Sequence, residues 1–404
     1  MMPLHIVTVF SSITPAEIIE DILNHIRDRG AALLTPKDVP GSSVRPSYVF
    51  VGTGGTERIV ADLYQAGSLI PPVILLAHDR SNSLPASMEI RAYLESRGVQ
   101  ARIVHSPLPE IGGIIKEWAH FQDVLEKVRN SSLAIIGEPS FWLIASGVDP
   151  EKVRETWGLK IKSHPISVLT EELSGVLTDR HQQDLKRLRE TVRKVEVSEG
   201  DLHSAALVTQ RLAEFVGKHR VDAVTVECFR LLEETGVSGC YALSFLNDQC
   251  DITAGCEGDI CSTFTMMMAR HLTGQASFMA NVSEVDEVQN SAVFAHCTVA
   301  TSLTNSHEIL SHFETGLSVG IRGEIPLGRV TVLKIAGDGL TKWWVSGGEV
   351  VENLRNDTAC RTQVRVHLDK PVSYFLEESL ANHHVLLSGD HAELIERFLQ
   401  FAIQ

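Results

Sequence analysis

No two cysteines in this chain stand in a C-x-x-C arrangement, and the seven present (Cys228, Cys240, Cys250, Cys256, Cys261, Cys297, Cys360) all fall in its second half. An odd number without close pairs argues against a disulfide framework and against a structural zinc. No apolar run approaches the ~18 residues of a spanning helix. The opening Met1-Met2-Pro3-Leu4-His5-Ile6-Val7-Thr8-Val9-Phe10 lacks the basic n-region and long apolar core of a signal peptide. A reducing cytoplasm, with no membrane anchor, is the expectation. An acidic tail is missing too: the net charge of −15 is spread along the chain. Such a surface repels a phosphate backbone, so nucleic acid is not an expected partner. The longest basic stretch, around Lys186, Arg187, Arg189, Arg193 and Lys194, alternates with Asp and Glu at helical spacing and reads as a solvated, ion-paired face.

What is present suits a folded enzyme. The hydrophobic share of 44% and charged share of 22% are those of an average globular protein. At ~150 residues per domain, 404 residues predict two or three domains. The first ~170 residues alternate strand and helix. Strands are expected at His5–Phe10, Tyr48–Gly52, Val73–Ala77, Ala101–His105 and Leu133–Gly137, and helices at Pro15–Arg29, from Glu57, at Ala86–Arg97 and at Pro109–Arg129. That pattern is an α/β fold with a doubly wound parallel sheet. Residues 179–218 are strongly helical, with a break near Gly200, and a second α/β unit follows from the strand Ala223–Cys228. After Ala300, short strands and turns predict an antiparallel β region closed by a helix at Ala392–Ala402. The expected domains are therefore 1–172 (N-terminal, α/β), 173–300 (middle, α/β) and 301–404 (C-terminal, β-rich).

Gly52-Thr53-Gly54-Gly55-Thr56-Glu57 joins a strand to a helix. Its glycines would let backbone N–H groups face an anion or a hydroxyl-rich ligand, although a tight structural turn needs the same residues and the spacing is not G-x-G-x-x-G. The densest polar constellation is Cys256-Glu257-Gly258-Asp259, two carboxylates at a strand-to-helix junction, where a hard cation or simply a helix cap would be served. Histidines gather in Ala295-His296-Cys297-Thr298, in Ser311-His312-Phe313-Glu314-Thr315-Gly316 and in Asn382-His383-His384. Imidazole with carboxylate suits Mn2+, Fe2+, Co2+ or Zn2+, though no H-E-x-x-H spacing occurs and a single histidine is more often structural. Only convergence in the fold would make a site.

These segments, with Cys228-Phe229-Arg230-Leu231-Leu232, Leu246-Asn247-Asp248, Leu272-Thr273-Gly274, Phe278-Met279-Ala280-Asn281 and Gly328-Arg329-Val330-Thr331, resemble in order and spacing the L-fucose and L-arabinose isomerases, in particular their short fucose isomerase-like relatives. Fainter echoes at Gly54-Gly55-Thr56-Glu57, Asn82–Ala86 and Trp157-Gly158 carry the resemblance over nearly the whole chain. It implies aldose–ketose isomerisation through an enediol, with a divalent metal, Mn2+ foremost, held by carboxylates and a histidine. Carried over, Glu257 and Asp259 supply the central carboxylate, and His384 or His383 the C-terminal ligand, His384 being slightly preferred. His296, His312, Glu314 and Asn281 contact substrate. The resemblance also implies a homotrimer or homohexamer in which Gly54, Gly55, Thr56 and Glu57 of one subunit help to cover the site of another. One position departs from the pattern: Arg230 stands where the other catalytic glutamate is expected. Arginine cannot act as that base, so Glu227, or Glu233 one turn further on, would have to substitute. Arg230 would instead suit a phosphate, sulfonate or carboxylate on an acidic sugar. A metal-assisted lyase or epimerase, or a catalytically inactive sugar-binding protein, are the alternatives that the same fold would allow.

Overall fold

The computed structural model describes residues 3–39, 46–171, 173, 175–248 and 252–403. Cys250, and Asp251 at the start of the predicted run to Gly255, lie outside them. The chain divides into two compact units, Met1–Glu126 and Lys127–Ile403. Among the described residues no helix is long and apolar enough to cross a membrane.

In the first unit five strands, β1 (Leu4–Val9), β2 (Ala31–Leu34), β3 (Tyr48–Val51), β4 (Val73–Ala77) and β5 (Ala101–His105), pair in parallel in the order β2-β1-β3-β4-β5. β4, Val-Ile-Leu-Leu-Ala, is buried at every position, as a strand covered on both faces must be. One core gathers Val7, Val49 and Leu75 from the sheet with Val60 and Leu63 of the helix Glu57–Gln65 and Ile90 and Leu94 of the helix Ser83–Glu95. The strand order reverses direction between β1 and β3, and at such a switch point the loops leaving the carboxyl ends of the strands part to form a crevice. Ser11, Thr14, Thr53, Gly54, Gly55, Glu57 and Asn82 line it. Gly54 packs so closely on Asn82 that a Cβ would lie 2.9 Å from the asparagine Cβ, and Thr56 is turned inward, its hydroxyl donating to Thr53 O at 2.9 Å. The glycine-rich loop thus has a structural reason for its composition.

The second unit contributes β6 (Ser132–Ile136), β7 (Lys160–His164), β8 (Lys194–Val195), β9 (Ala223–Val226), β10 (Thr253–Cys256), β11 (Phe278–Asp286), β12 (Ser291–His296), β13 (Ser306–Leu310), β14 (Gly320–Glu324), β15 (Gly328–Ala336), β16 (Lys342–Asn353), β17 (Thr362–Leu368) and β18 (His384–Ser388). A parallel sheet runs β10-β9-β6-β7, and an antiparallel barrel closes as β11-β12-β17-β16-β15-β18, beside a small sheet β14-β13-β8. The fold class read from the sequence is therefore the observed one, a doubly wound α/β chain with an antiparallel β region near its C-terminus. Two details differ. The strand near Leu133 joins this second parallel sheet, and the antiparallel strands begin at Phe278, before Ala300. β12 is buried at every position, so it lacks the alternation that marks a half-exposed strand and reads as an undifferentiated apolar run. The helical break lies ahead of Gly200, because Ser198 starts the helix Glu199–His219 with a capping box to Asp201.

Candidate functional site

β10 ends at Cys256, and the chain turns within two residues, Glu257 and Gly258, into the helix Ile260–Thr273. Both turn residues have left-handed backbones, φ 61° at Glu257 and 67° at Gly258. Glycine is required at the second: a Cβ there would lie 2.6 Å from Glu138 O. Glu257 carries the strained conformation, at a cost of about 1–2 kcal/mol. We expect Gly258→Ala to destabilise the second unit by about 3 kcal/mol from backbone strain and overpacking together. A thermal unfolding midpoint within a degree of the wild type would contradict this.

Asp259 is the N-cap of that helix and is completely buried. Its Oδ1 accepts from Ser262 N at 2.8 Å, and its Oδ2 from Ser262 Oγ at 2.7 Å and from His383 Nδ1 at 2.9 Å. Lys334, in the middle of the apolar strand β15, donates to Ser262 Oγ at 2.8 Å and lies 3.6 Å from Asp259 Oδ2, with no exposed surface on either side chain. An ionised carboxylate only accepts, so His383 Nδ1 carries a proton, and in the neutral imidazole the lone pair is on Nε2. That Nε2 is buried and has no hydrogen-bond partner. It faces Glu257 Oε1 at 3.4 Å, and His296 Nε2 approaches the same oxygen at 3.8 Å.

Glu257, His296 and His383 therefore converge, one ligand atom from each lying within 4.8 Å of the others. A carboxylate oxygen and two imidazole nitrogens match the donor set of a first-row divalent ion. The imidazole–carboxylate contact behind His383 is the support that ligating histidines need. The orphaned Nε2 is an observation of this structure that such an ion fits. Burial alone would raise the Glu257 carboxyl, but the imidazoles of His296 and His383 hold it well below the usual range. Burial would likewise raise Asp259, but Lys334 and His383 hold it well below. His383, which burial would lower, is pushed up to about 9 by Asp259 and Glu257. The cluster as it stands is one that favours positive charge.

Beside it opens a cavity of about 480 Å³ whose walls include Trp142, Glu257, Asn281, His296, His312, Glu314 and Asn382. Trp142 had no signal in the sequence, standing in a loop without periodicity; its indole N–H donates to Glu257 Oε2 at 2.7 Å, and its ring meets Phe229 edge-on. Lys334 was also missed, although a lone charge inside Val330–Ala336 marked it. His312 is held neutral, lowered chiefly by burial, and touches Thr315 Oγ1 through Nδ1 at 3.2 Å.

The other predicted residues are placed elsewhere. In His384 both ring nitrogens are engaged, Nδ1 with Asn382 O at 2.9 Å and Nε2 with the Tyr374 hydroxyl at 3.1 Å. Of the neighbouring histidines it is thus His383 that meets the carboxylates. Arg230 is half exposed and bonded to Glu234 Oε1 at 2.8 Å on its own helix, with Glu227 at 3.8 Å. It lines a separate depression with Gly137, Glu138 and His164. Glu227 accepts from Glu138 N at 2.9 Å, and neither residue is among those lining the cavity. β9 ends at Val226, Glu227 is the N-cap of the helix Cys228–Thr235, and on that helix Arg230 pairs with Glu234. Gly54, Gly55, Thr56 and Glu57 belong to the first unit and its crevice.

Fold and cluster together define the class: an α/β protein with a buried carboxylate–imidazole centre opening on a cavity. Similarity to known proteins narrows it. The chain is 22% identical over 283 residues to a sulfoquinovose isomerase of Alkalicoccus urumqiensis, covering 66% of this chain and 62% of that one. It is 21% identical over 292 residues to one of Priestia aryabhattai (68% and 63%) and 22% over 268 residues to one of a Clostridium species (65% and 58%). No protein-family model matches. The chain is thus similar to sulfoquinovose isomerases over about two thirds of its length, and the resemblance to sugar isomerases seen in the sequence is supported. It covers less than two thirds of the length of these relatives.

Proposed function

We propose that this protein is a metal-dependent aldose–ketose isomerase acting on a sugar, with a sulfonated sugar as the first substrate to test because of what its relatives act on. The single observation that carries the reading is the unpartnered Nε2 of His383 facing Glu257 and His296 beside a cavity walled by Asn281, His312, Glu314 and Asn382. Glu257, His296 and His383 would hold the ion, Mn2+ by preference, and when bound it would supply Lewis acidity to the sugar's carbonyl and neighbouring hydroxyl. Asp259 fixes the imidazole of His383 in the tautomer that leaves Nε2 free. Asn281 and Asn382, joined by a hydrogen bond of 2.5 Å, offer amide groups to sugar hydroxyls. His312, neutral and in the cavity wall, is the residue we assign to move the proton between adjacent carbons, with Glu314 beside it at the rim.

The decisive experiment incubates the metal-freed protein with sulfoquinovose, with and without Mn2+, and follows the aldose and ketose anomeric signals by NMR. Mn2+-dependent interconversion supports the proposal; a protein that neither binds Mn2+ stoichiometrically nor interconverts any aldose refutes it. Among the described residues lining the cavity none is Arg or Lys, and this favours as second reading a neutral aldose, for which L-fucose and L-arabinose are the test substrates. With Arg230 paired to Glu234 and not among the residues lining the cavity, Arg230→Lys should leave KM for either sugar class within about twofold; a KM rise confined to the sulfonated sugar would return Arg230 to the site. We further propose a homotrimer or homohexamer in which the Gly54–Glu57 loop of one copy reaches the cavity of another. Light scattering that finds a monomer would remove that part.

A further inference from the structure

The loop that leaves β6, residues 137–149, is pinned to the carboxylate turn and to the helix behind it. Ser140 N donates to Glu257 O at 2.9 Å. Glu138 O closes on Gly258, where a Cβ would lie 2.6 Å away. Further along, Cys261 Sγ donates to Ser146 O at 3.4 Å, which ties the loop to the first turn of the helix Ile260–Thr273. Between these anchors stands Trp142. Its indole N–H donates to Glu257 Oε2 at 2.7 Å, while Oε1 of the same carboxylate faces His383 Nε2 at 3.4 Å and His296 Nε2 at 3.8 Å. The terminal torsion of a glutamate is broad, so without that donor either oxygen could turn to the imidazoles. With it, Oε1 is the one presented. The ring itself is 42% exposed and belongs to the cavity wall. Phe229 meets it edge-on at 4.8 Å and 90°, and His312 meets Phe229 in turn at 5.6 Å and 81°, the arrangement that the charge distribution of aromatic rings favours.

We propose that Trp142 is a positioning and specificity-determining residue of this site: its N–H sets Glu257 to offer the single oxygen Oε1 to a bound divalent cation, and its ring is the wall on which the apolar C–H face of a sugar rests. The first role rests on the proposed metal centre and the second on the proposed isomerase function. Different parts of one side chain carry them. A donor that fixes a ligating carboxylate belongs to the outer partners whose loss weakens metal binding. The wall acts through contact alone. A sugar carries C–H groups on its faces and hydroxyls at its rim, and the cavity lining offers both kinds of partner, Trp142, Phe229 and Leu232 for the one and Asn281, Glu314 and Asn382 for the other. Such a wall selects a sugar by the face it presents and not by its charge.

The test strips the full chain of metal and titrates it with Mn2+ by calorimetry, as wild type, Trp142→Phe and Trp142→Ala, each beside a thermal melt. Phenylalanine keeps a ring and loses the N–H. Trp142→Phe should bind Mn2+ about 10–100-fold more weakly, with the stoichiometry and the melting midpoint retained. At saturating Mn2+ it should keep KM for the sugar within about twofold. Trp142→Ala should show the same loss of Mn2+ affinity and a KM about tenfold higher, the scale of one aromatic contact. A role in folding alone would lower the melting midpoint and leave the Mn2+ affinity where it was. Of the five tryptophans in the chain, Trp142 is the one among the described residues lining the cavity, so paramagnetic Mn2+ should quench the emission of the wild type and much less that of Trp142→Phe. A Trp142→Phe affinity within about threefold of the wild type overturns the positioning role. An unchanged KM in Trp142→Ala overturns the wall. Wild-type protein that binds Mn2+ but interconverts no sugar overturns the isomerase function and the wall with it, while the affinity comparison still decides the positioning role. Wild-type protein that binds no Mn2+ overturns the metal centre and the positioning role together.

Discussion

If the proposed metal centre holds, Glu257→Gln is expected to weaken Mn2+ binding by more than about a hundredfold, beyond the 10–100-fold that loss of an outer support typically costs, and to remove the proposed isomerase activity with it. The amide keeps the size of the carboxylate and can accept from Trp142, whose indole N–H now meets Glu257 Oε2 at 2.7 Å. What it loses is the charge, and in a buried centre whose other donors are the imidazoles of His296 and His383, Glu257 is the only anion among the three. Folding should survive. Glutamine tolerates the left-handed φ of 61° no worse than glutamate, and a desolvated carboxylate, whose burial is unfavourable, is gone. Isothermal titration with Mn2+ beside a thermal melt separates the two effects. Stoichiometric Mn2+ binding of wild-type strength by the glutamine variant would remove the metal centre from Glu257.

Lys334→Met should lower stability by about 1–3 kcal/mol, the scale for removing one hydrogen-bonding partner from a buried polar cluster whose carboxylate keeps its other partners. Methionine matches the length of the lysine stem, so the loss is electrostatic: Asp259, completely buried, would keep Ser262 and His383 as partners but lose the cation 3.6 Å from Oδ2. Ser262 Oγ would in turn lose its donor at 2.8 Å. The double variant Lys334→Met with Asp259→Asn removes both charges, and its loss should be smaller than the sum of the two single losses. Additive losses, or a Lys334→Met variant within 1 kcal/mol of the wild type in urea unfolding, would show that the pair is not coupled.

How much of this was legible beforehand differs between fold and site. Periodicity of 3.6 or 2, continuous apolar runs such as Val73–Ala77, and the glycine and serine signals at element ends are local properties, and they specified the α/β class, the parallel strands of the first unit and the closing helix Ala392–Ala402. The same physics made β12 ambiguous, because a strand buried on both faces carries no alternation. In the site, residue types clustered along the chain marked Glu257, His296, His312, Glu314 and the pair His383 and His384 as candidates, and the family resemblance added Asn281. Choosing within that pair was beyond any linear pattern: adjacent residues at the start of a strand face opposite ways, and only the barrel register decided that His383 turns to Asp259 while His384 turns to Tyr374. Arg230 illustrates the converse. Counting along the sequence set it in register with a catalytic position, but its direction is decided by the rotation of the helix Cys228–Thr235, which pairs it with Glu234. Trp142 and Lys334, more than seventy residues from the groups they support, became visible only through packing. The sequence by itself determined which segments become strands and helices and which side chains could bind a cation, because those are properties of neighbouring residues. The tertiary structure alone decided which of them meet, because a buried charge is satisfied by whatever partner the closed barrel brings to it.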